Sequence, residues 1–264
     1  MIDLHERLSE FSYGYGVSRE VEELLASVGL RPTPFLPSLL HEAKLGFDVK
    51  FQDLGRVVVL QFKLGEELKR FHRTDPSQSI PTLTRPFWRY KVDTTGHQFR
   101  LLEDLEKRHT DVYYVAPRFS SWQEYDKAFQ EKNVLENSLI LKPSEIARGI
   151  SQQGAAPGVH RIAYDGWRRY VCSEPVELHE QRPRQIADEI AASIRNGEHT
   201  LEAAVERLFS RPLIDDKRGA LDPGRRDDLF GRARRPVDAM AAAIGIEAWS
   251  VGAQVIFVTV DGAA

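Results

Sequence analysis

The sequence predicts an α/β fold, and three observations carry that prediction. The first is an almost wholly apolar run, RVVVLQFKL (56–64), which reads as a buried strand. The second is GHQFRLLEDLEKRH (96–109), where Phe99, Leu102 and Leu105 fall on one helical stripe. The third is the placement of that helix between two strand-like segments, FWRYKVD (87–93) and DVYYVAPRF (111–119). Strands that alternate with amphipathic helices indicate a sheet covered by helices.

The elements follow in order. SYGYGV (12–17) reads as a glycine-punctuated loop, after which Ser18 N-caps a helix over REVEELLASV and Gly29 ends it. RPTPFLP (31–37) reads as a rigid connector. SLLHEAKL (38–45) is a short helix ended by Gly46, FDVKF (47–51) a strand and QDLG (52–55) a hairpin turn into RVVVLQFKL. Residues 65–86 are polar and proline-bearing and read as a loop. From residue 37 to residue 119 the expected order is therefore helix, strand, strand, strand, helix, strand.

Beyond Pro117 a helix is expected over SWQEYDKAFQEKNVLENS (121–138), and short strands over LILKPSEI (139–146) and HRIAYDG (160–166), with the loop SQQGAAPG between them. PRQIADEIAASIRNG (183–197) and HTLEAAVERLFS (199–210) read as helical. DDKRGALDPGRRDDLFGRARRP (215–236) reads as irregular, VDAMAAAIG (237–245) as a helix and AQVIFVTVDG (253–262) as a final strand. The expected organisation is a core over 1–175 with N-terminal helices, and a C-terminal α/β extension over 176–264 that ends in the strand and packs on the core.

Composition narrows the function classes. The chain has 264 residues, 42% hydrophobic and 28% charged, as expected of a globular protein. A formal charge of −3 gives no general positive field, so any nucleic-acid contact must come from a local patch. One cysteine, Cys172, excludes an intrachain disulfide framework and a cysteine-rich zinc site, and reads as a buried structural thiol. The N-terminus lacks the order of a signal peptide, and no run approaches the roughly 18 to 20 apolar residues of a membrane span. A cytoplasmic protein without membrane association is expected. Neither a G-x-x-x-x-G-K-[ST] nor a G-x-G-x-x-G motif occurs, and HEAK is not H-E-x-x-H.

The chemistry concentrates between residues 42 and 63. Side chains alternate along a strand, so Val59, Gln61 and Lys63 share one face. A hairpin through QDLG would lay the Asp48 strand alongside, and Glu42 lies six residues before Asp48. Hard divalent cations take oxygen ligands, here the Asp48 carboxylate, the Gln61 amide carbonyl and the second negative charge of Glu42. Lys63, a compact cation, would hold an attacking water or phosphate oxygens without competing for the metal.

Glu42, Gly46-Phe47-Asp48 and Gln61-Phe62-Lys63, with the element order around them, resemble the PD-(D/E)xK nuclease superfamily, the restriction-endonuclease-like fold. The resemblance covers residues 37–119. It implies a core of helix, three strands, helix and strand in a mixed sheet, and Mg²⁺-dependent hydrolysis of phosphodiesters, with Mn²⁺ as an alternative. Asp48 would be the central metal ligand, Gln61 and Glu42 further ligands, and Lys63 the catalytic lysine. Gln61 departs from the usual Asp or Glu. DNA is expected ahead of RNA as substrate, and defence against foreign DNA is the role suggested by analogy. The rival reading is a catalytically inactive module of the same fold that binds nucleic acid or a partner protein in a defence or repair complex. Partner subunits and a homo-oligomer are compatible with either.

Four further features bear on binding. Gln98, with His97 at the head of the fifth core element, is placed to touch DNA or orient a water, or else faces solvent. Lys91 is placed either to face the site or to decorate an edge strand. The tyrosines of SYGYG suit base stacking or packing on the core. Lys217–Arg235 carries seven basic residues against three acidic, and Arg225, Arg226, Arg234 and Arg235 form its two pairs. They are candidate contacts to a phosphate backbone, or part of a solvated linker.

Overall fold

A computed structural model describes residues 8–35, 55–71, 81–107, 110–172, 175–198, 244–245, 248 and 251–260. Glu42 and Asp48, with the helix, strand and turn expected around them, lie outside the described residues, as do Arg225, Arg226, Arg234 and Arg235. The described elements are five helices and ten strands in two sheets, an α/β architecture.

Helix α1 (Glu10–Ser27) runs straight through the two glycines expected to form a loop. The Ser9 hydroxyl accepts the Ser12 amide at 3.0 Å and caps it, and Gly29, at φ +84°, follows its last residues. Ser18 is buried inside the helix and is not its N-cap. Close packing explains the glycines. A Cβ at Gly14 would lie 2.6 Å from the Phe62 ring, and one at Gly16 3.0 Å from the Tyr125 ring. Tyr13 is fully buried, while Tyr15 is exposed.

The first sheet is mixed, with strand order β1-β10-β2-β5-β6, where β1 is Leu30–Phe35, β2 Arg56–Phe62, β5 Asp111–Pro117, β6 Ser138–Leu141 and β10 Ala253–Val260. The expected connector RPTPF is thus an edge strand, antiparallel to β10, with Pro32 opposite Val258 and Pro34 opposite Ile256. Prolines lack the N–H that a central strand must donate, so the edge is where such a sequence is tolerated. The final strand expected at 253–262 pairs antiparallel with both β1 and β2. Every residue of β2 is buried, in keeping with a strand flanked on both edges and covered on both faces.

The second sheet is antiparallel, in the order β3-β4-β7-β8-β9, where β3 is Glu66–Leu68, β4 Phe87–Asp93, β7 Val159–Tyr164, β8 Arg169–Val171 and β9 Val176–Glu177. The strand FWRYKVD is therefore not the third strand of the sheet that holds RVVVLQFKL. It lies between β3, which pairs with Phe87–Arg89 alone, and β7, which pairs with Trp88–Asp93 and sets Lys91 opposite Arg161. Part of the loop expected over 65–86 is the strand β3.

Helix α2 is His97–Glu106, α3 Trp122–Gln130, α4 Pro143–Gln152 and α5 Pro183–Arg195. α3 is shorter than expected. It opens on a capping box between Ser121 and Glu124 and gives way to turns after Glu131. The expected strand LILKPSEI stops at Leu141 because Pro143 takes the first turn of α4, where a missing N–H costs nothing. By Cα proximity the chain divides into two compact units. One comprises Met1–Val21, Phe62–Glu103 and Tyr113–Ile186, and the other Glu22–Gln61, Asp104–Val112 and Ala187–Ala264.

Candidate active site

Lys63 is held from two sides. It stands one residue past the end of β2, and its backbone N–H donates to the Val115 carbonyl of β5 at 3.0 Å. Its half-buried side chain reaches back, and Nζ donates to Gln98 Oε1 at 2.9 Å. Burial pushes the ammonium below the ordinary lysine pKa, against the Glu10 charge, which pulls it up.

Gln98 is the second residue of α2, so its position depends on how that helix starts. Asp93, at the end of β4, organises the preceding turn. Its Oδ1 accepts the Thr95 amide at 2.9 Å and the Thr95 hydroxyl at 2.7 Å, and its carbonyl accepts the Gly96 amide at 3.2 Å. The Thr95 hydroxyl and amide hold the Asp93 carboxyl below its usual range. On the inner side of α2, Phe99 stacks on Tyr114 of β5 with ring centroids 6.2 Å apart. A local turn and a buried ring pair therefore bring Gln98, 35 residues downstream, to Lys63.

Gln61 is buried at 1% exposure, and its Nε2 donates to the Gly252 carbonyl at 3.2 Å. Gly252, at φ +76°, forms the turn into β10, whose Ala253 is the register partner of Gln61. The side-chain amide thus ties the strand end to that turn.

One participant carries no mark in the sequence. Glu10 opens α1 one helical turn before Gly14, on the same face as Tyr13. Tyr13 meets Phe62 edge-on at 5.9 Å, and Phe62 immediately precedes Lys63. Desolvation raises the Glu10 carboxyl, and the Lys63 charge opposes that rise. No local motif points to Glu10, because only the packing of α1 on Phe62 connects it to the end of β2.

The structure thus brings Lys63 and Gln98 together, with Glu10 within electrostatic reach of Lys63. Among the described residues, no group of three His, Cys, Asp or Glu side chains assembles that would hold a metal ion, and no helix is long and apolar enough to cross a membrane. No family model, no curated protein and no solved structure matches this chain.

Proposed function

We propose that this chain is a Mg²⁺-dependent nuclease that hydrolyses phosphodiester bonds in DNA in preference to RNA, with Mn²⁺ as an alternative metal. The observation that carries the reading is Lys63, which follows a buried central strand and has its ammonium fixed 2.9 Å from Gln98 Oε1. A lysine so placed offers a pre-oriented positive charge to a phosphate oxygen as negative charge develops on it. Gln61, two residues earlier, and the acids Asp48 and Glu42 complete the pattern that resembles PD-(D/E)xK nucleases. The described residues do not by themselves fit a Mg²⁺ site, because Gln61 supplies an amide and the proposed carboxylates are Asp48 and Glu42. A bound divalent ion would supply charge for the phosphate and a more acidic water. Cytoplasmic action against foreign DNA, with partner subunits or as a homo-oligomer, is proposed by analogy alone, since one fold serves several biological roles.

A second reading draws on one observation. The Gln61 side chain is engaged with a backbone carbonyl, and it brings no charge to a cation. This favours a nuclease-fold module that binds nucleic acid or a partner protein without cutting.

A cleavage assay separates the two readings. Plasmid, linear duplex and single-stranded DNA are incubated with Mg²⁺, Mn²⁺ or EDTA, using wild type, Asp48→Ala and Gln61→Glu. The nuclease reading predicts metal-dependent cleavage, its loss in Asp48→Ala, and activity kept or raised in Gln61→Glu, which restores an acidic ligand. Failure of every substrate with either metal, or equal cleavage by Asp48→Ala, favours the binding module.

A further inference from the structure

The second sheet presents a cross-strand arrangement that stability alone does not favour. β4 and β7 pair antiparallel with Lys91 directly opposite Arg161. Residues facing each other in this way have Cβ atoms roughly 5 Å apart, and like charges there repel. Both side chains are exposed, and neither forms an ion pair among the described residues. Arg89, two residues before Lys91 and opposite Ala163, lies on the same face. It is bound to Glu66 at 3.0 Å, an exposed pair of small energetic weight. The Arg89 and Arg161 charges also act on the buried Cys172 thiol, whose pKa burial pushes up to about 11 against them. The other face of the sheet is core, with Tyr90, Val92, Ile162 and Tyr164 all buried. On the Lys91 face Phe87, Ala163 and Cys172 are buried as well, so that face is open only at its Lys91–Arg161 end, where Asp93, two residues on, supplies one exposed carboxylate.

We propose that the exposed end of this face, bearing Lys91 and Arg161 with Arg89 beside them, holds the phosphate backbone of a nucleic acid. A polyanion relieves the repulsion between Lys91 and Arg161 by placing negative charge between them. Alternate strand residues are spaced at roughly 7 Å along β4, a spacing suited to successive phosphates rather than to a single carboxylate. The face is also continuous in chain with the candidate active site. β4 ends at Asp93, whose turn sets the head of α2 and so Gln98. That the bound polymer is the substrate rests on the nuclease reading; the binding itself does not.

The test is fluorescence anisotropy of a labelled DNA duplex across a KCl series, in EDTA so that no cleavage is read. Wild type is compared with Lys91→Ala/Arg161→Ala and with Lys91→Glu, and the melting temperature of each is recorded. The double variant should bind roughly tenfold or more weakly. Its slope of log affinity against log salt should shrink by roughly 1.8, about 0.9 for each phosphate that is no longer neutralised. Its melting temperature should be unchanged or higher, because a repulsion is removed. Lys91→Glu places opposite charges across the strand pair, so it should melt higher than wild type and yet bind DNA more weakly. A residue with a merely structural role would not move the two readouts in opposite directions. Unchanged affinity and slope in the double variant would overturn the proposal, as would absence of DNA binding by wild type, which would leave the face to an acidic protein partner. A wild type that cuts DNA while the double variant binds normally sinks this inference and leaves the nuclease reading intact. A wild type that binds through Lys91 and Arg161 but never cuts does the reverse.

Discussion

At the scale of single residues, polar side chains set the geometry of turns, and the turns set the position of chemistry. Asp93 does this at the head of α2, and Asp165 does it at the tip of the β7–β8 hairpin. Asp165 is buried, and its carboxylate accepts three backbone N–H groups, from Thr84, Trp167 and Arg168, each at 2.6 Å. Desolvation would raise its pKa, but the amides of Thr84, Trp167 and Arg168 outweigh it and leave the carboxyl below its usual range. The sign of the pH effect follows. A depressed folded-state pKa stabilises fully above the unfolded value, roughly 4, and this stabilisation is lost as pH falls through the lower folded value. Asp165→Asn retains one acceptor for Trp167 and Arg168 but turns an NH₂ toward the Thr84 amide. It should lose about 2 kcal/mol at neutral pH, of the order of an unsatisfied buried donor. Urea denaturation at several pH values should also show a shallower acid limb than wild type; an unchanged limb would assign the acid sensitivity to other carboxylates.

At the scale of elements, close packing decides what each helix tolerates. Gly14 sits in the interior of α1, where Gly→Ala alone is worth about 1 kcal/mol in helix propensity. Here the new Cβ would stand 2.6 Å from a buried Phe62 ring, itself met edge-on by Tyr13. Overpacking of that kind costs roughly 1–3 kcal/mol, so Gly14→Ala should lower the melting temperature despite the better propensity. On the nuclease reading it should also lower the cleavage rate, because Phe62 is covalently joined to Lys63; a more stable variant would contradict the packing account. The same contact explains what is legible in the sequence. The strands RVVVLQFKL and DVYYVAPRF, α2 and α5 declare themselves through apolar runs and helical periodicity. α1 does not, because Gly14 answers to Phe62 and Gly16 to Tyr125, both distant in the chain, rather than to a local turn. Nor does β1, whose prolines read as a connector until β10 supplies an antiparallel partner from the far end of the chain. FWRYKVD is legible as a strand, but its sheet is not, since pairing with β3 and β7 leaves no mark in its own alternation. At the site, Lys63 and Gln98 stand out as polar residues at element ends, and their contact requires the fold. Glu10 is hidden for the reason that hides α1.

At the scale of the whole molecule, a net charge of −3 would leave any nucleic-acid affinity to local features, and on the nuclease reading binding and chemistry fall to different ones. The Lys91–Arg161 face would set affinity and its salt dependence. Lys63, oriented by Gln98, would act on the phosphodiester itself. Lys63 is half-buried and, among the described residues, its ammonium donates to one side chain, Gln98, so its removal should cost little folding energy while, on the nuclease reading, it takes a charge from the reaction centre. The most direct measurement is the rate of DNA cleavage in Mg²⁺ by wild type and Lys63→Ala, side by side, with the melting temperature of both recorded. The nuclease reading predicts a loss of roughly 10²-fold or more, the scale seen when one pre-oriented electrostatic contact to a transition state is removed, with the fold intact. A Lys63→Ala protein that cuts DNA at the wild-type rate would contradict it.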